Sequence, residues 1–177
     1  QSAIGIPAQF LAGQPAHALH EAAFDLAAID RLDQRFADVM QQVDPQQAIE
    51  IAVSADPGSL PSSHAVSIGL IVTELIINAI KYAFPVKQPS ALIQVTFEMA
   101  KSDWKLTVAD NGAGMTPAFI EERLFRPFQS TKKKGLGIGL FQCRAIVQAH
   151  GGATWVESVS GAGSTFHFTL PKHKEEA

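Results

Sequence analysis

Cysteine is almost absent from these 177 residues, and the single Cys143 excludes an internal disulfide. It lies among Phe141, Ile146 and Val147 in a helix-like run, so it reads as a packing residue. Positive charge is also scarce. Fourteen Lys and Arg face 17 Asp and Glu, and the net charge of -3 leaves no basic field of the size nucleic acid requires. No apolar run approaches the roughly 20 residues needed to span a bilayer, and no secretory leader pattern opens the chain. There is no internal repeat and no sign of a second domain. The first residue is Gln1 and not Met, so the chain is expected to be a fragment of a longer polypeptide.

What remains is an ordinary globular composition, 46% hydrophobic and 18% charged, long enough for one domain with a real core. Pro7, Gly13 and Pro15 break the first 23 residues, which read as a linker or the tail of a preceding domain. Ile29, Leu32, Phe36, Val39 and Val43 recur at three- and four-residue spacing, an amphipathic helix packing on a sheet. Ile49, Ile51 and Val53 alternate as a strand with one buried face. Asp56-Pro57-Gly58 is a turn, and Ser62 or Ser63 can cap the helix that runs on through Ile71 to Phe84. His64, in its first turn, reads as a surface residue.

Two further alternating runs, Ile93 to Met99 and Trp104 to Val108, flank Lys101-Ser102-Asp103 and predict an antiparallel hairpin. A short helix follows from Pro117 to Leu124, then a polar stretch from Gln129 to Lys134. A helix from Gly139 to His150 ends at Gly151-Gly152. A last hairpin turns around Gly161 and Gly163, and the charged tail from Lys172 is expected to fray. Helices and antiparallel strands segregate, so the fold class is α+β, a two-layer sandwich. Its sheet is mixed but mostly antiparallel and covered on one face by helices.

Three stretches carry chemistry. In the helix Ile71 to Phe84, Glu74, Asn78 and Lys81 stand at i, i+4 and i+7, with Tyr82 beside them. A carboxylate, an amide and an ammonium in a row on an apolar helix need partners if buried; otherwise they are a solvated edge. Asp110 ends the strand Leu-Thr-Val-Ala, where it either initiates an Asn-Gly turn or offers a carboxylate to a ligand. Gly135, Gly137 and Gly139 lie beside a helix start, where free amides suit a polyphosphate, or they form a plain hinge. They are not a P-loop, because Gly-Lys-Ser/Thr is missing, and not a Rossmann turn, because the spacing is wrong.

Taken together, these blocks resemble sensor histidine kinases. Glu74-Leu-Ile-Ile-Asn78-Ala-Ile-Lys81-Tyr82 is similar to the family's N box, and Asp110-Asn-Gly112-Ala-Gly114 to its G1 box. Leu124-Phe-Arg-Pro-Phe128 is similar to the F box, and Gly135-Leu-Gly137-Ile-Gly139-Leu140 to the G2 box. Order and approximate gaps match, and the likeness covers residues 24–171. The segment around LPSSHAVSIGLIVTELIINAIKYAFP is closer to the subgroup with the less common acceptor domain, whereas LFRPFQSTK is like mainstream kinases.

The resemblance implies the catalytic, ATP-binding domain of the GHKL superfamily, with the Bergerat fold. It assigns Asp110 to the adenine amino group, with Gly112 and Gly114 beside it and Thr165 reaching the base. Asn78 would be the Mg²⁺ ligand. Lys81, Tyr82 and Lys132 would stand near the phosphates, and Glu74 would be a catalytic base together with Lys81. Gly135, Leu136, Gly137, Ile138, Gly139 and Leu140 would form the phosphate loop, under a basic lid anchored by Phe125 and Phe128. The implied partners are a histidine-bearing dimerisation domain of the same polypeptide and the receiver domain of a response regulator. Neither nucleic acid nor membrane contact is implied. The isolated chain is expected to be a monomer, the full-length protein a homodimer, and the location cytoplasmic. His20-Glu21 superficially fits an acceptor histidine, but the preceding Pro and Gly argue against the long helix such a site needs. Two other readings remain: a serine kinase of the anti-sigma-factor type, and a nucleotide-free docking domain for a response regulator.

Overall fold

The computed structural model describes residues 48–56, 62–100, 102–127 and 138–172. Along them run β1 (Ile49–Ala55), α1 (Ser62–Tyr82), β2 (Ala91–Met99), β3 (Asp103–Asp110), α2 (Pro117–Glu122), α3 (Gly139–Ala149), β4 (Ala153–Val159) and β5 (Gly163–Pro171). The expected helix at 27–43, the Pro57-Gly58 part of the first turn and the linker at 1–23 lie outside the described residues.

The five strands form one sheet in the order β1-β2-β3-β5-β4. β1 pairs with β2 in parallel, and every other pairing is antiparallel. A parallel pair needs a crossover, and α1 is the helix in that connection. The mixed, mostly antiparallel sheet is therefore the expected one. Strand periodicity of two explains its faces. In β2 Ala91, Ile93, Val95 and Phe97 are buried, and in β3 Trp104, Leu106 and Val108. They pack with Ile68, Ile71, Leu75 and Ile80 of α1, Cys143 and Val147 of α3, and Phe168 and Leu170 of β5. Cys143 is thus the core residue its neighbours suggested.

The structure corrects four expectations. His64 is buried, not on the surface: its ring lies 4.5 Å from that of His150, whose Nε2 is 3.0 Å from Ser67 Oγ. β1 lacks the fully buried face its alternation suggested. Ile51 and Val53 are 39% and 43% exposed, although they pair with buried Ile93 and Val95. β1 is the sheet's edge, and the core formed by α1 and α3 centres on β2, β3 and β5. The stretch His64–Tyr82 is long and apolar enough to cross a membrane by length and composition. It does so with Glu74, Asn78 and Lys81 included, while Ile68, Ile71, Leu75 and Ile77 are buried in the core. Lys172 is also not frayed: its N–H donates to the Ser102 carbonyl at 2.9 Å, its ammonium donates to the Ala100 carbonyl, and it lies over the Trp104 ring.

On the sheet face opposite the helices, Trp155 stacks on His167 at 4.8 Å. Thr107 Oγ1 lies 3.4 Å from His167 Nδ1. Burial lowers the His167 pKa, Lys105 adds to the lowering, and Glu157 opposes it. A neutral imidazole is therefore favoured in the folded state. Its contribution to stability is complete above the ordinary histidine value of about 6.5 and is lost as pH falls through the lowered folded value. The melting temperature is expected to drop between neutral pH and about pH 5, and His167→Phe, which keeps the stack, is expected to flatten part of that drop. Calorimetric scans of both proteins across the range check this; identical acid limbs would exclude the assignment.

Candidate functional site

Asp110 is the last residue of β3, opposite Ile93 on one side and Ser164 on the other. The Gly112 N–H donates to Asp110 Oδ1 at 2.9 Å. Burial raises the Asp110 pKa above the ordinary carboxylate value, and three donors oppose the rise: the Gly112 N–H, the Ser164 N–H and the Ser164 hydroxyl. The carboxylate is thus partly desolvated and held from the Gly112 side.

The backbone after Asp110 is held on both sides. Toward α1, the Ala113 N–H donates to the Ala83 carbonyl at 2.7 Å, and a Cβ on Gly112 would lie 2.2 Å from that same oxygen. Toward the β4–β5 turn, Gly161 N–H donates to the Ala113 carbonyl at 2.7 Å. Gly163 has φ +104°, and a Cβ on it would meet the Asp110 carbonyl at 1.9 Å. Only residues without side chains allow these approaches. Asn111 fixes the far edge by accepting the Leu92 N–H at 2.8 Å and donating to the Ser90 carbonyl at 2.7 Å.

The polar stripe of α1 lies between two such anchors. Glu74 is 8% exposed, and its carboxylate fills the space where a Cβ on Gly139 would stand, 1.9 Å from Oε1. It therefore faces the first residue of α3, where the helix dipole favours negative charge. This is a closed position, not the open one a base awaiting a second domain suggests. Asn78 is half-buried one turn on, and Lys81 and Tyr82 are exposed. Ile138 and Leu140 are half-buried at the start of α3, and Leu140 packs against the core. Lys132, Gly135, Leu136, Gly137 and Phe128 lie outside the described residues.

Thr165 is not beside Asp110. It pairs with Ala109 and Glu157, and the residue that meets the Asp110 carboxylate is Ser164. Adjacent residues of a strand point to opposite faces, so a one-residue difference decides the matter. Ser164 and Ser158 were both missed by sequence reasoning; the signal available was the alternation Ser164, Phe166, Phe168, Leu170. Phe125 is half-buried away from Asp110. It lines a cavity of about 220 Å³ on the outer side of α3 with Phe141, Arg144, Ala145 and Gln148, and the Arg144 guanidinium lies 5.5 Å from its ring centre.

The bond from Ala113 to Ala83 thus sets the end of β3 beside the end of α1, the helix that carries Asn78 and Lys81. Such an arrangement suits a ligand with an amino-bearing flat base and a charged tail.

Known proteins give the same picture. Residues 63–174 match the family described as histidine kinase-, DNA gyrase B- and HSP90-like ATPase. The phytochrome-like protein Cph1 of Synechocystis is 36% identical over 148 residues, 77% of this chain and 19% of that protein. The adaptive-response sensory kinase SasA of Prochlorococcus marinus is 40% identical over 123 residues, 65% of this chain and 32% of that protein. The chain therefore spans about a fifth to a third of the length of these relatives. Among solved structures, full-length ShkA in complex with AMPPNP superposes with a TM-score of 0.61 at 26% identity, covering 81% of this chain and 30% of that one.

The contact between Glu74 and Gly139 is directly testable. Gly139→Ala is expected to destabilise the fold by about 1–3 kcal/mol, the usual cost of overpacking. Adding Glu74→Ala should recover part of that loss. Chemical denaturation of the two single variants and the double variant reads the coupling; strictly additive effects would mean the two residues do not meet.

Proposed function

The chain belongs to the histidine kinase-, DNA gyrase B- and HSP90-like ATPase family, and from that premise we propose that it holds Mg-ATP for phosphoryl transfer to a histidine on another domain. The phosphoryl group would then pass to an aspartate on a response regulator. Asp110 carries the reading. A half-buried carboxylate oriented by the Gly112 N–H suits the exocyclic amine of adenine, which a guanine carbonyl cannot replace.

The residues present fit both ligands. Gly112 and Gly114 bring backbone, not side chains, to the base. Asn78 supplies a hard amide oxygen for Mg²⁺, and one protein ligand is enough for an ion that keeps waters and binds phosphate. Lys81, in the last turn of α1, adds positive charge for the phosphates, and Tyr82 lies exposed beside it. When bound, ATP supplies the transferable phosphoryl group and Mg²⁺ neutralises charge across its phosphates. The chain's own contribution is positioning: Asp110 orients the base, Asn78 and Lys81 orient the tail, and Gly139 sets where the first turn of α3 stands. Glu74, buried against Gly139, reaches an incoming imidazole only when that turn moves. Gly135, Leu136, Gly137 and Lys132 complete the proposed phosphate loop, and Ile138 and Leu140 flank it.

The acceptor histidine belongs to a dimerisation domain of the same polypeptide, and the downstream partner is a receiver domain. The isolated chain is a monomer, the whole protein a homodimer, and this part works in the cytoplasm. Calorimetry with AMPPNP and Mg²⁺ tests the nucleotide reading: saturable heat and a raised melting temperature are expected, and ligand at 100 times its Kd should add about 2.7 kcal/mol. No heat and no thermal shift would refute it.

Asp110→Asn separates binding from stability. A carboxyl whose folded pKa is raised favours folding when protonated, and this advantage is lost as pH rises through the folded pKa. At neutral pH the ionised group therefore opposes folding. Asp110→Asn is expected to raise the melting temperature of the ligand-free protein and to weaken AMPPNP binding while leaving it measurable. A variant that binds normally would remove Asp110 from the base site.

A further inference from the structure

Ser158 lies on β4, outside the four motifs, yet it touches three of the segments that surround Asp110. Its Oγ accepts the Met115 N–H at 2.8 Å, and its hydroxyl is 2.9 Å from the Gly163 carbonyl and 3.1 Å from Ser164 Oγ. Both seryl side chains are on the same face, since Ser158 and Ser164 are register partners. Ser164 in turn donates to Asp110.

The direction of donation in this chain is constrained. The Met115 N–H can only donate, so Ser158 Oγ must accept there. The single Ser158 hydroxyl proton is then shared between the Gly163 carbonyl at 2.9 Å, which can only accept, and Ser164 Oγ at 3.1 Å. Ser164 Oγ, receiving from that side, sends its own proton to Asp110. The carboxylate is left as a pure acceptor toward the ligand.

Resting on the nucleotide reading above, we propose that Ser158 is a positioning residue for base selection. By tying the Met115 amide, the Gly163 carbonyl and the Ser164 hydroxyl to one side chain, it fixes where Ser164 stands against its register partner Asp110, and so the aim of the Asp110 carboxylate. It acts through Asp110 and does not touch the nucleotide. Removing it frees the Ser164 hydroxyl to turn, and releases the Met115 amide that holds the turn after Gly114. Loss of one neutral hydrogen bond of this kind corresponds to about a fivefold to tenfold change in an equilibrium.

The test compares ADP with purine riboside diphosphate, which lacks the 6-amino group, by calorimetry on the wild-type chain, Ser158→Ala, Ser158→Thr, Asp110→Asn and the Ser158→Ala/Asp110→Asn double variant. For Ser158→Ala, ADP affinity is expected to fall about fivefold to tenfold while affinity for the deamino analogue is unchanged. Ser158→Thr, which keeps the hydroxyl, restores ADP binding. The double variant discriminates between the two ligands no better and no worse than Asp110→Asn alone. Equal losses for both ligands would make Ser158 a structural residue only and overturn the proposal, as would unchanged ADP binding in Ser158→Ala. Failure of the wild-type chain to bind either ligand would instead overturn the nucleotide reading itself.

Discussion

The Ala113 N–H and the Ala83 carbonyl, 2.7 Å apart, are the contact on which the site depends. One belongs to the turn that leaves β3, the other to the residue just past α1. Their hydrogen bond joins the end of a strand to the end of the crossover helix, and so brings Asp110 and the polar stripe of α1 to one junction. Gly112 makes the bond possible, since any side chain there would collide with the same carbonyl at 2.2 Å. A loop of this kind must satisfy its backbone groups somewhere. Here it does so against α1 on one side and, through Gly161, against the β4–β5 turn on the other.

That junction explains an electrostatic cost. Asp110 would be easier to keep ionised at the surface, yet it sits where burial raises its pKa. Hydrogen bonds from Gly112 and Ser164 offset part of the desolvation. A carboxylate whose burial is only partly offset is one that a ligand donor can stabilise further. Functional sites often retain such local costs because the rest of the fold over-determines them. Glu74 illustrates the other outcome. Its carboxylate is more deeply buried than that of Asp110, and it lies against Gly139 at the start of α3, where the helix end supplies favourable potential.

Much of this was readable from residue order. Alternation in Ile93–Phe97 and Trp104–Val108 gave β2, β3 and their buried face, and glycines at 151, 161 and 163 marked the turns, all with positive φ. The motifs from Glu74 to Gly139 pointed to the family. What local pattern does not carry is contact between distant segments. His64 looked like a surface residue because nothing nearby covers it; the ring that does, His150, is 86 positions away in the chain. Ile51 and Val53 follow the alternation of a buried strand, but their exposure depends on where the strand falls in the sheet, and β1 is its edge. Thr165 and Ser164 are both hydroxyl residues next to Gly163, and only the register with Ala109 and Asp110 tells which side each occupies. A shift of one residue exchanges the two faces, and sequence reasoning, without the register, named Thr165 and not Ser164.

The arrangement of α1 follows from these fixed points. Gly139 lies against Glu74, and the Ala113 amide bonds to Ala83. Asn78 lies between them, four residues from the first and five from the second, or about 6 and 7.5 Å along the helix at 1.5 Å per residue. With an anchor about one turn away on each side, its amide is carried by a segment that cannot rotate or slide without breaking one of them. Phosphoryl transfer draws most of its acceleration from fixed positions and placed charge. The proposed role of Asn78 as a metal ligand would be better served by a doubly anchored helix than by a loop. The same rigidity makes the first turn of α3 the point where movement would have to occur, because Gly139 is the one contact in the set that is packed against the end of a flexible side chain and not hydrogen-bonded through backbone.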